Sequence, residues 1–346
     1  MVMEIRDIPE TTPLPKVIKI LGEGCNLVAN RVYLMAAPLI LDLFLLFGPK
    51  LRISDYFMPL FETAFRQMLS SPNFGKQQLE ISVELLRHAI NSVNLFGFLQ
   101  VFPVGVRVLL SSGGSETPLG KSAEIQMTSL LQIIPIIVIT MILGVLIGSF
   151  YYSLTAAHAE KENNRFSWQK FGSQLLNVIL LYIALIVVIA VMAIPAGCLM
   201  TISFMISPIL YQIFALILIA VSCWLIIPLF YTPQAIFMKG LDFPHAVKES
   251  FRLSSWAGTI TIRFILLSLV LSFGLDMIWM IPDQSSWLIL FSIFGHSYVA
   301  ASVLVSSFIL FREIEKWQSE NKSFLDWRKA NLRLSQLFKK EPETHE

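Results

Sequence analysis

The sequence predicts an all-α membrane protein: a bundle of six transmembrane helices forming a single domain over residues 1–346. Two observations on composition predict it. Hydrophobic residues make up 55% of the chain and charged residues 14%, whereas soluble domains have roughly 45–50% and about 25%. The apolar residues also form continuous runs of about 20, which is the length that crosses a ~30 Å hydrocarbon core as a helix. With a net charge of only +2, the composition indicates no nucleic-acid partner.

Six runs are long and apolar enough to be spans. A shorter run, residues 95–110, contains Pro103 and Arg107. We expect this run to lie along the membrane surface or to enter the membrane and return on the same side. The six spans are predicted at residues 32–48, 127–152, 175–196, 207–231, 259–281 and 287–311.

The positions of Lys and Arg predict the orientation. The loops after the second and fourth spans carry three Lys or Arg each, and the loops after the third and fifth carry none. The segment before the first span, residues 1–31, has four, and the tail, residues 312–346, has eight. Because cytoplasmic loops are enriched in Lys and Arg, both termini are predicted in the cytoplasm. The long segment 49–126 must then lie outside.

Short amphipathic segments precede the first, third and fifth spans, at residues 16–23, 166–171 and 243–253. Such segments are expected to lie along the membrane interface. The order "interfacial helix, rising span, outer turn, descending span" would then occur three times, as three helical hairpins. Three hairpins also arise in any six-span chain, so the interfacial helices are the only evidence for an internal repeat.

The outer segment 49–126 is predicted to begin with two amphipathic helices, residues 55–70 and 76–93. In the second, Glu84 is placed to pair with Arg87 or His88. We expect the two helices to lie on the outer leaflet, either as a structural lid or, alternatively, as a docking surface or a cover over a lipid-accessible cavity. The tail is predicted to continue the sixth span and to form an amphipathic cytoplasmic helix, with Phe324, Trp327, Leu334 and Phe338 on its apolar side.

A motif surrounds the loop between the fourth and fifth spans. An aromatic residue and a proline end the fourth span, and an "Ala-x-x-x-Ser-aromatic" helix opens the next; the residues are Tyr231, Pro233, Gly240, Ala246, Ser250 and Phe251. The pattern resembles the membrane domain attached to glycerophosphoryl diester phosphodiesterases and related stand-alone six-span bacterial proteins of unknown function. The resemblance implies a bundle in the bacterial plasma (inner) membrane. The chain has no soluble phosphodiesterase domain, so that activity does not carry over.

Sequence motifs for catalysis, metal binding and nucleotide binding are missing. The segment 114–122 resembles a phosphate-binding loop, but five residues instead of four separate Gly114 from Gly120, so Ser115 stands where the first glycine is needed. A flexible linker is the better interpretation. None of the five histidines has another at metal-ligand spacing. We therefore expect no nucleotide, metal or cofactor.

Ionisable residues within spans are costly, and they are the default candidates for function. Asp42, Asp276 and His296 lie in the outer halves of their spans, and Arg107 lies in the outer segment. Together they could line a polar cavity for a head group, an ion or a proton. The alternative is that each makes an isolated hydrogen bond between helices. Gly144 and Gly148 are a small-residue pair expected to allow close packing within the chain.

Three functions remain open on this evidence. The leading expectation is a non-enzymatic membrane protein of the interaction or accessory type, contacting membrane lipids and a protein partner in the membrane. The second is a small transporter or permease with a polar cavity in the outer half of the bundle. The third is an intramembrane enzyme acting on lipid, which would need two convergent titratable groups beside a water-reachable cavity.

Overall fold

The computed structural model describes residues 12–69, 76–111, 114–160, 167–324 and 326, and it is an all-α membrane-type bundle, as predicted. Short 3₁₀ turns occur at Val32–Met35, Leu95–Leu99 and Ile227–Leu229. The described helices are α1 (Val17–Asn30), α2 (Ala36–Phe47), α3 (Ser54–Leu69), α4 (Lys76–Ser92), α5 (Leu130–Ala159), α6 (Trp168–Ile206), α7 (Pro208–Ile226), α8 (Thr232–Lys239), α9 (Phe243–Trp279) and α10 (Leu288–Glu320).

Five helical segments among the described residues are long and apolar enough to cross a membrane. They are α5, α6, the stretch Ile209–Lys239 that joins α7 to α8, α9 and α10. The first predicted span is different. The segments Val17–Asn30 and Val32–Phe47 are long and apolar enough to be a span only when taken together, and the angle of the bend between them is 103°. The count is therefore five, or six if the bent pair is one span.

The two ends of the bundle are distinguished by what they carry. We call the end with residues 49–126 and the α9–α10 turn the insertion end. There the Gly114 amide donates to Gln284 of that turn, at 2.9 Å. We call the other end the terminal end, where Thr12 is hydrogen-bonded to Asn321. The predicted tail helix falls mostly outside the described residues, because residues 327–346 are not among them.

Three predicted boundaries differ from the structure. Residues 168–171 are the first turn of α6 and do not form a separate interfacial helix, while residue 166 lies outside the described part. The predicted loop at 197–206 is also helical, and only Ser207 connects α6 to α7. The third difference is in α9, where the predicted interfacial helix and the fifth span form one helix. It is kinked at Ala257, whose φ of −113° and ψ of 22° are non-helical.

The helix α1 lies lengthwise and antiparallel against α10, a pairing that the sequence did not predict. The Cys25 carbonyl accepts from the Tyr298 hydroxyl at 3.1 Å. Farther from the insertion end, a Cβ on Gly24 would overlap the Ser306 hydroxyl. Glycine and serine therefore allow the two backbones to approach closely. The placement of this segment along the inner interface stays a prediction.

The second and third predicted hairpins correspond to α6–α7 and α9–α10, whose helices contact each other. In the predicted first hairpin, α2 packs against α10. Its other helix, α5, packs against the segment that follows α4, at Leu95–Leu99. That segment separates the two halves of the predicted first hairpin.

The insertion contains strands as well as the two predicted helices. The strand β1 (Lys50–Arg52) pairs in parallel with β4 (Glu124–Gln126), and β2 (Glu116–Thr117) pairs with β3 (Gly120–Lys121). The expected flexible linker at 114–122 is thus largely a tight hairpin, with Gly120 at a φ of 105° that favours glycine.

Side-chain contacts secure the insertion. In α4 Arg87 pairs with Glu84, as predicted, at 3.8 Å, and it also reaches Glu62 of α3 at 3.1 Å. Beside β1, the Lys50 ammonium donates to the Leu45 carbonyl. Burial, and next the charge of Arg52, lower the pKa of Lys50 to about 8. The insertion is therefore fixed to the end of α2.

Residues 95–110 form a loop that packs inside the bundle and returns to the same end, and its placement relative to the membrane stays a prediction. The loop descends along α5 from Gly144 to Gly148 and then returns towards the insertion end. Its tip includes the cis Phe102–Pro103 peptide. A Cβ on Gly148 would overlap the Val104 carbonyl oxygen and lie 2.9 Å from the Gly105 Cα. Gly144 and Gly148 thus admit a loop backbone, not a second helix.

We predict that Gly148→Ala destabilises the protein by about 1–3 kcal/mol, the usual cost of overpacking. The control is Gly172→Ala in α6, where a Cβ would meet nothing within 4 Å. Alanine is the better helix former, so the control is expected to be neutral or slightly stabilising. Thermal unfolding in detergent measures both, and equal effects of the two changes would contradict the packing described for the loop.

Candidate functional site

The four ionisable residues singled out from the sequence meet in one row, which we call the polar chain. The Arg107 Nη2 lies 2.6 Å from Asp276 Oδ2. The other oxygen of Asp276, Oδ1, lies 2.9 Å from His296 Nδ1. The opposite ring nitrogen of His296, Nε2, faces Asp42 Oδ2 at 3.8 Å. Positive or protonatable groups therefore alternate with carboxylates along the row.

Each member of the polar chain comes from a different element: Asp42 from α2, Arg107 from the returning limb of the loop, Asp276 from α9 and His296 from α10. Asp42 and His296 are buried, with side-chain exposures of 0% and 2%. Asp276 and Arg107 are 19% and 31% exposed. The row therefore runs from a partly exposed end to a fully buried end.

Both ends of the polar chain contact the loop at residues 95–110. Asp42 Oδ1 accepts the backbone N–H groups of Leu109 and Leu110, at 2.7 and 3.1 Å. Arg107 belongs to the loop itself, and its guanidinium also lies over the Phe273 ring, 4.9 Å from the centroid. Buried backbone amides need such acceptors, because leaving one unpaired costs about 1–3 kcal/mol. The polar chain therefore holds the returning limb between α2 and α9.

One contact within the row is incomplete. Asp42 Oδ2 and His296 Nε2 are both buried, and neither has a hydrogen-bond partner. Their separation of 3.8 Å exceeds hydrogen-bond distance. The two atoms face each other across the only gap between neighbouring members of the chain.

Two tyrosines hold the tip of the loop. The Tyr152 hydroxyl of α5 donates to the Pro103 carbonyl at 3.0 Å. The Tyr182 hydroxyl of α6 donates to the Val104 carbonyl at 2.9 Å and lies 3.1 Å from the Val104 amide. The sequence analysis missed both residues, although a tyrosine within an apolar span is a recognisable signal because its hydroxyl needs a partner.

Beyond the loop tip, towards the terminal end, the structure has a cavity of 310 Å³ between α5, α6 and α8. Its lining includes Ser153, Gln174, Asn177 and Lys239. Gln174 accepts from Ser153 at 2.9 Å and donates to the Phe237 carbonyl at 3.0 Å. The sequence analysis did not predict a cavity at this end of the bundle.

The motif residues form the corner between α8 and α9. The Tyr231 amide donates to Ser250 Oγ at 3.0 Å, and the Ser250 hydroxyl donates to the Pro228 carbonyl at 2.6 Å. Ala246 is buried there, whereas Phe251 is exposed. Pro233 lies in the first turn of α8, and Gly240 ends that helix at a φ of 65°, a conformation that favours glycine. The geometry gives the motif a packing role.

No family model, curated protein or solved structure matches the chain. Within the part of the chain that the structure describes, no three His, Cys, Asp or Glu residues lie close enough to hold a metal ion. The functional argument therefore depends on the geometry of the polar chain and the loop.

We predict that Asp42→Ala destabilises the protein by more than 2 kcal/mol, since it leaves the Leu109 and Leu110 amides without an acceptor at about 1–3 kcal/mol each. Asp42→Asn is the matched variant, because its side-chain oxygen can still accept from both amides and its nitrogen can donate to His296. It should stay near the wild-type stability. Thermal unfolding in detergent measures both variants, and an Asp42→Asn protein as unstable as Asp42→Ala would contradict the role given to the amide contacts.

Proposed function

We propose that this integral membrane protein is a carrier in which the re-entrant loop acts as a gate and the polar chain as its latch. The observation that supports this most is the convergence of Asp42, Arg107, Asp276 and His296 from four separate elements. Scattered structural hydrogen bonds would not require the four groups to meet. Intramembrane charges that meet mark ion or substrate pathways in many transporters.

The position of the loop supports the same proposal. Its tip, held by Tyr152 and Tyr182, lies between the polar chain and the cavity at the terminal end. Residues 101–110 have non-helical backbone. Such backbone at membrane depth is tolerated where it is buried in protein or lines a water-filled cavity. A loop in this position separates the two ends of the bundle, and its displacement would join them.

We propose a non-enzymatic role because the titratable pair, Asp42 and His296, does not line the cavity. An intramembrane enzyme needs titratable groups beside a water-reachable cavity. The titratable side chains that line the cavity are Glu160, Lys170 and Lys239, at the terminal end, whereas Asp42 and His296 are buried on the far side of the loop tip. The titratable pair and the cavity are therefore separated.

We further propose that the insertion end faces outwards and that both termini lie in the cytoplasm of a bacterium, in contact with membrane lipids. The support is the distribution of Lys and Arg, with eight in the tail and none in the loops after the third and fifth spans. The likeness to the membrane domain of the phosphodiesterases stays part of this proposal.

A second candidate is the accessory role, and the α6–α7 hairpin favours it. No charged residue occurs between Lys170 and Lys239. Beyond Leu181 most of the large apolar side chains that the structure describes in α6 and α7 are exposed, among them Ile202 and Trp224. The 39 residues of α6 would extend ~58 Å at ~1.5 Å per residue, about twice the hydrocarbon thickness. A protein partner in the membrane would cover part of this surface.

Labelling of a buried cysteine distinguishes the two candidates. In a background with Cys25, Cys198 and Cys223 changed to alanine, Val104→Cys places a thiol at the loop tip, where the native side chain is 0% exposed. A gate that opens exposes this thiol to water. We therefore expect a membrane-impermeant maleimide to label it in proteoliposomes.

Two control variants make the labelling interpretable. Val305→Cys in α10 is an equally buried site, also 0% exposed, and should stay unlabelled. Leu119→Cys in the β2–β3 turn, where the native side chain is 74% exposed, should be labelled at once. If Val104→Cys and Val305→Cys are equally protected from both sides of the membrane, the loop is a fixed part of the fold and the carrier proposal is wrong.

A further inference from the structure

The incomplete contact between Asp42 and His296 permits an inference about a bound proton. His296 Nδ1 lies 2.9 Å from Asp276 Oδ1, and the other oxygen of Asp276 accepts from Arg107. A carboxylate that already accepts from a guanidinium has no proton to give, so His296 Nδ1 is the donor in this contact. The tautomer is thereby determined: in the neutral ring Nδ1 carries the proton and Nε2 carries none.

With Nδ1 protonated, His296 Nε2 has a lone pair unless the ring is cationic. It faces Asp42 Oδ2, which has a lone pair unless the carboxyl group is protonated. Neither atom has another hydrogen-bond partner, and both are buried. Two facing lone pairs in an apolar bundle repel each other, and each loses hydration without compensation. One proton on either atom replaces the repulsion by attraction, so that the two atoms can approach to hydrogen-bond distance.

The charge of the polar chain leads to the same conclusion. Without that proton the row contains one cation, Arg107, and two carboxylates, Asp42 and Asp276. With it the row is neutral overall, and the charges can alternate along it. Among the described residues, the phenols of Tyr151 and Tyr152 on α5 also pack in this part of the bundle, and they add no charge in their neutral form. A buried row of charges is favoured when it is neutral.

We propose that Asp42 and His296 together bind one exchangeable proton, and that this proton is the coupling ion of the carrier. Binding takes one proton from hydronium, forms an N–H bond at His296 Nε2 or an O–H bond at Asp42 Oδ2, and releases water; departure reverses the step. This inference rests on the proposed carrier function.

The geometry also connects the proton to the gate. The Asp42 carboxylate that faces His296 holds the loop through its other oxygen, which accepts from Leu109 and Leu110. With the proton bound, Asp42 is attracted to α10 and the latch is closed. When the proton leaves, Asp42 and His296 repel each other and α2 is pushed away from α10. The returning limb, bound to α2, is loosened with it.

The route for proton exchange begins at the partly exposed end of the polar chain. Arg107 and Asp276 are 31% and 19% exposed, whereas His296 is 2% exposed. Asp276 contacts the ring of His296 through Nδ1, so exchange with water reaches the buried pair from this side. The imidazole thus connects the partly exposed carboxylate with the buried one.

Proton uptake by proteoliposomes tests the inference. The full chain is reconstituted with a pH-sensitive dye inside, and a potassium gradient with valinomycin imposes a membrane potential. Wild-type protein is expected to take up protons, and Asp42→Asn to show only the rate of protein-free vesicles. The asparagine can donate to His296 Nε2 and accept from the loop amides, so it replaces the bound proton by one that cannot exchange.

Further variants and a companion measurement make each outcome decisive. Asp283→Asn changes an exposed acid in the α9–α10 turn and should keep wild-type uptake. His296→Gln provides the same comparison from the other side of the gap if Asp42→Asn fails to fold. Labelling of Val104→Cys in the cysteine-free background, with Asp42 and His296 unchanged, reports loop opening in parallel.

Loss of uptake in Asp42→Asn or His296→Gln, with Asp283→Asn unaffected, supports the inference. Loop opening with no uptake, or with uptake equal in Asp42→Asn and wild type, overturns the proton site and leaves the carrier proposal intact. A loop that never opens overturns the carrier proposal and the inference with it.

Discussion

A non-helical backbone packed inside an apolar helix bundle must find partners for its N–H and C=O groups among its neighbours, and this constraint governs the structure. The loop at residues 95–110 meets it with side chains from α2, α5 and α6. Asp42 accepts two of its amides, and Tyr152 and Tyr182 reach its tip. Gly144 and Gly148 provide the space, because a Cβ at either position would overlap the loop backbone. The helices are arranged around the loop.

The same constraint explains why charge is retained inside an apolar bundle. A carboxylate is a strong acceptor for buried amides, but burying one alone is costly. His296 and Asp276 extend from Asp42 towards Arg107, so that the charge is balanced by a residue of the loop itself. The row therefore meets the hydrogen-bonding needs of the loop with little net charge. Its one incomplete contact is the place where a proton can be gained or lost.

Much of this could be predicted from the sequence, and the limits have physical causes. The scarcity of charge predicted the spans, and the cost of ionisable groups in lipid singled out Asp42, Arg107, Asp276 and His296 together. The path of residues 95–110 could not be predicted, because it depends on glycines of α5 distant in the chain. The α1–α10 pairing depends on Gly24 and small serines, which have no distinctive pattern. The extent of α6 was underestimated because apolarity sets the length of a span but not of a helix.

Hydrogen exchange at the amides of residues 104–110 tests most directly whether a loop held by the polar chain fills the bundle. The amides of Val104, Leu109 and Leu110 donate to Tyr182 and Asp42. Mass spectrometry of the protein in detergent or nanodiscs should find peptides from this segment exchanging about as slowly as those of α10, since buried amides exchange only when the structure opens. Exchange as fast as in the exposed β2–β3 turn would place the segment on the surface and contradict the account.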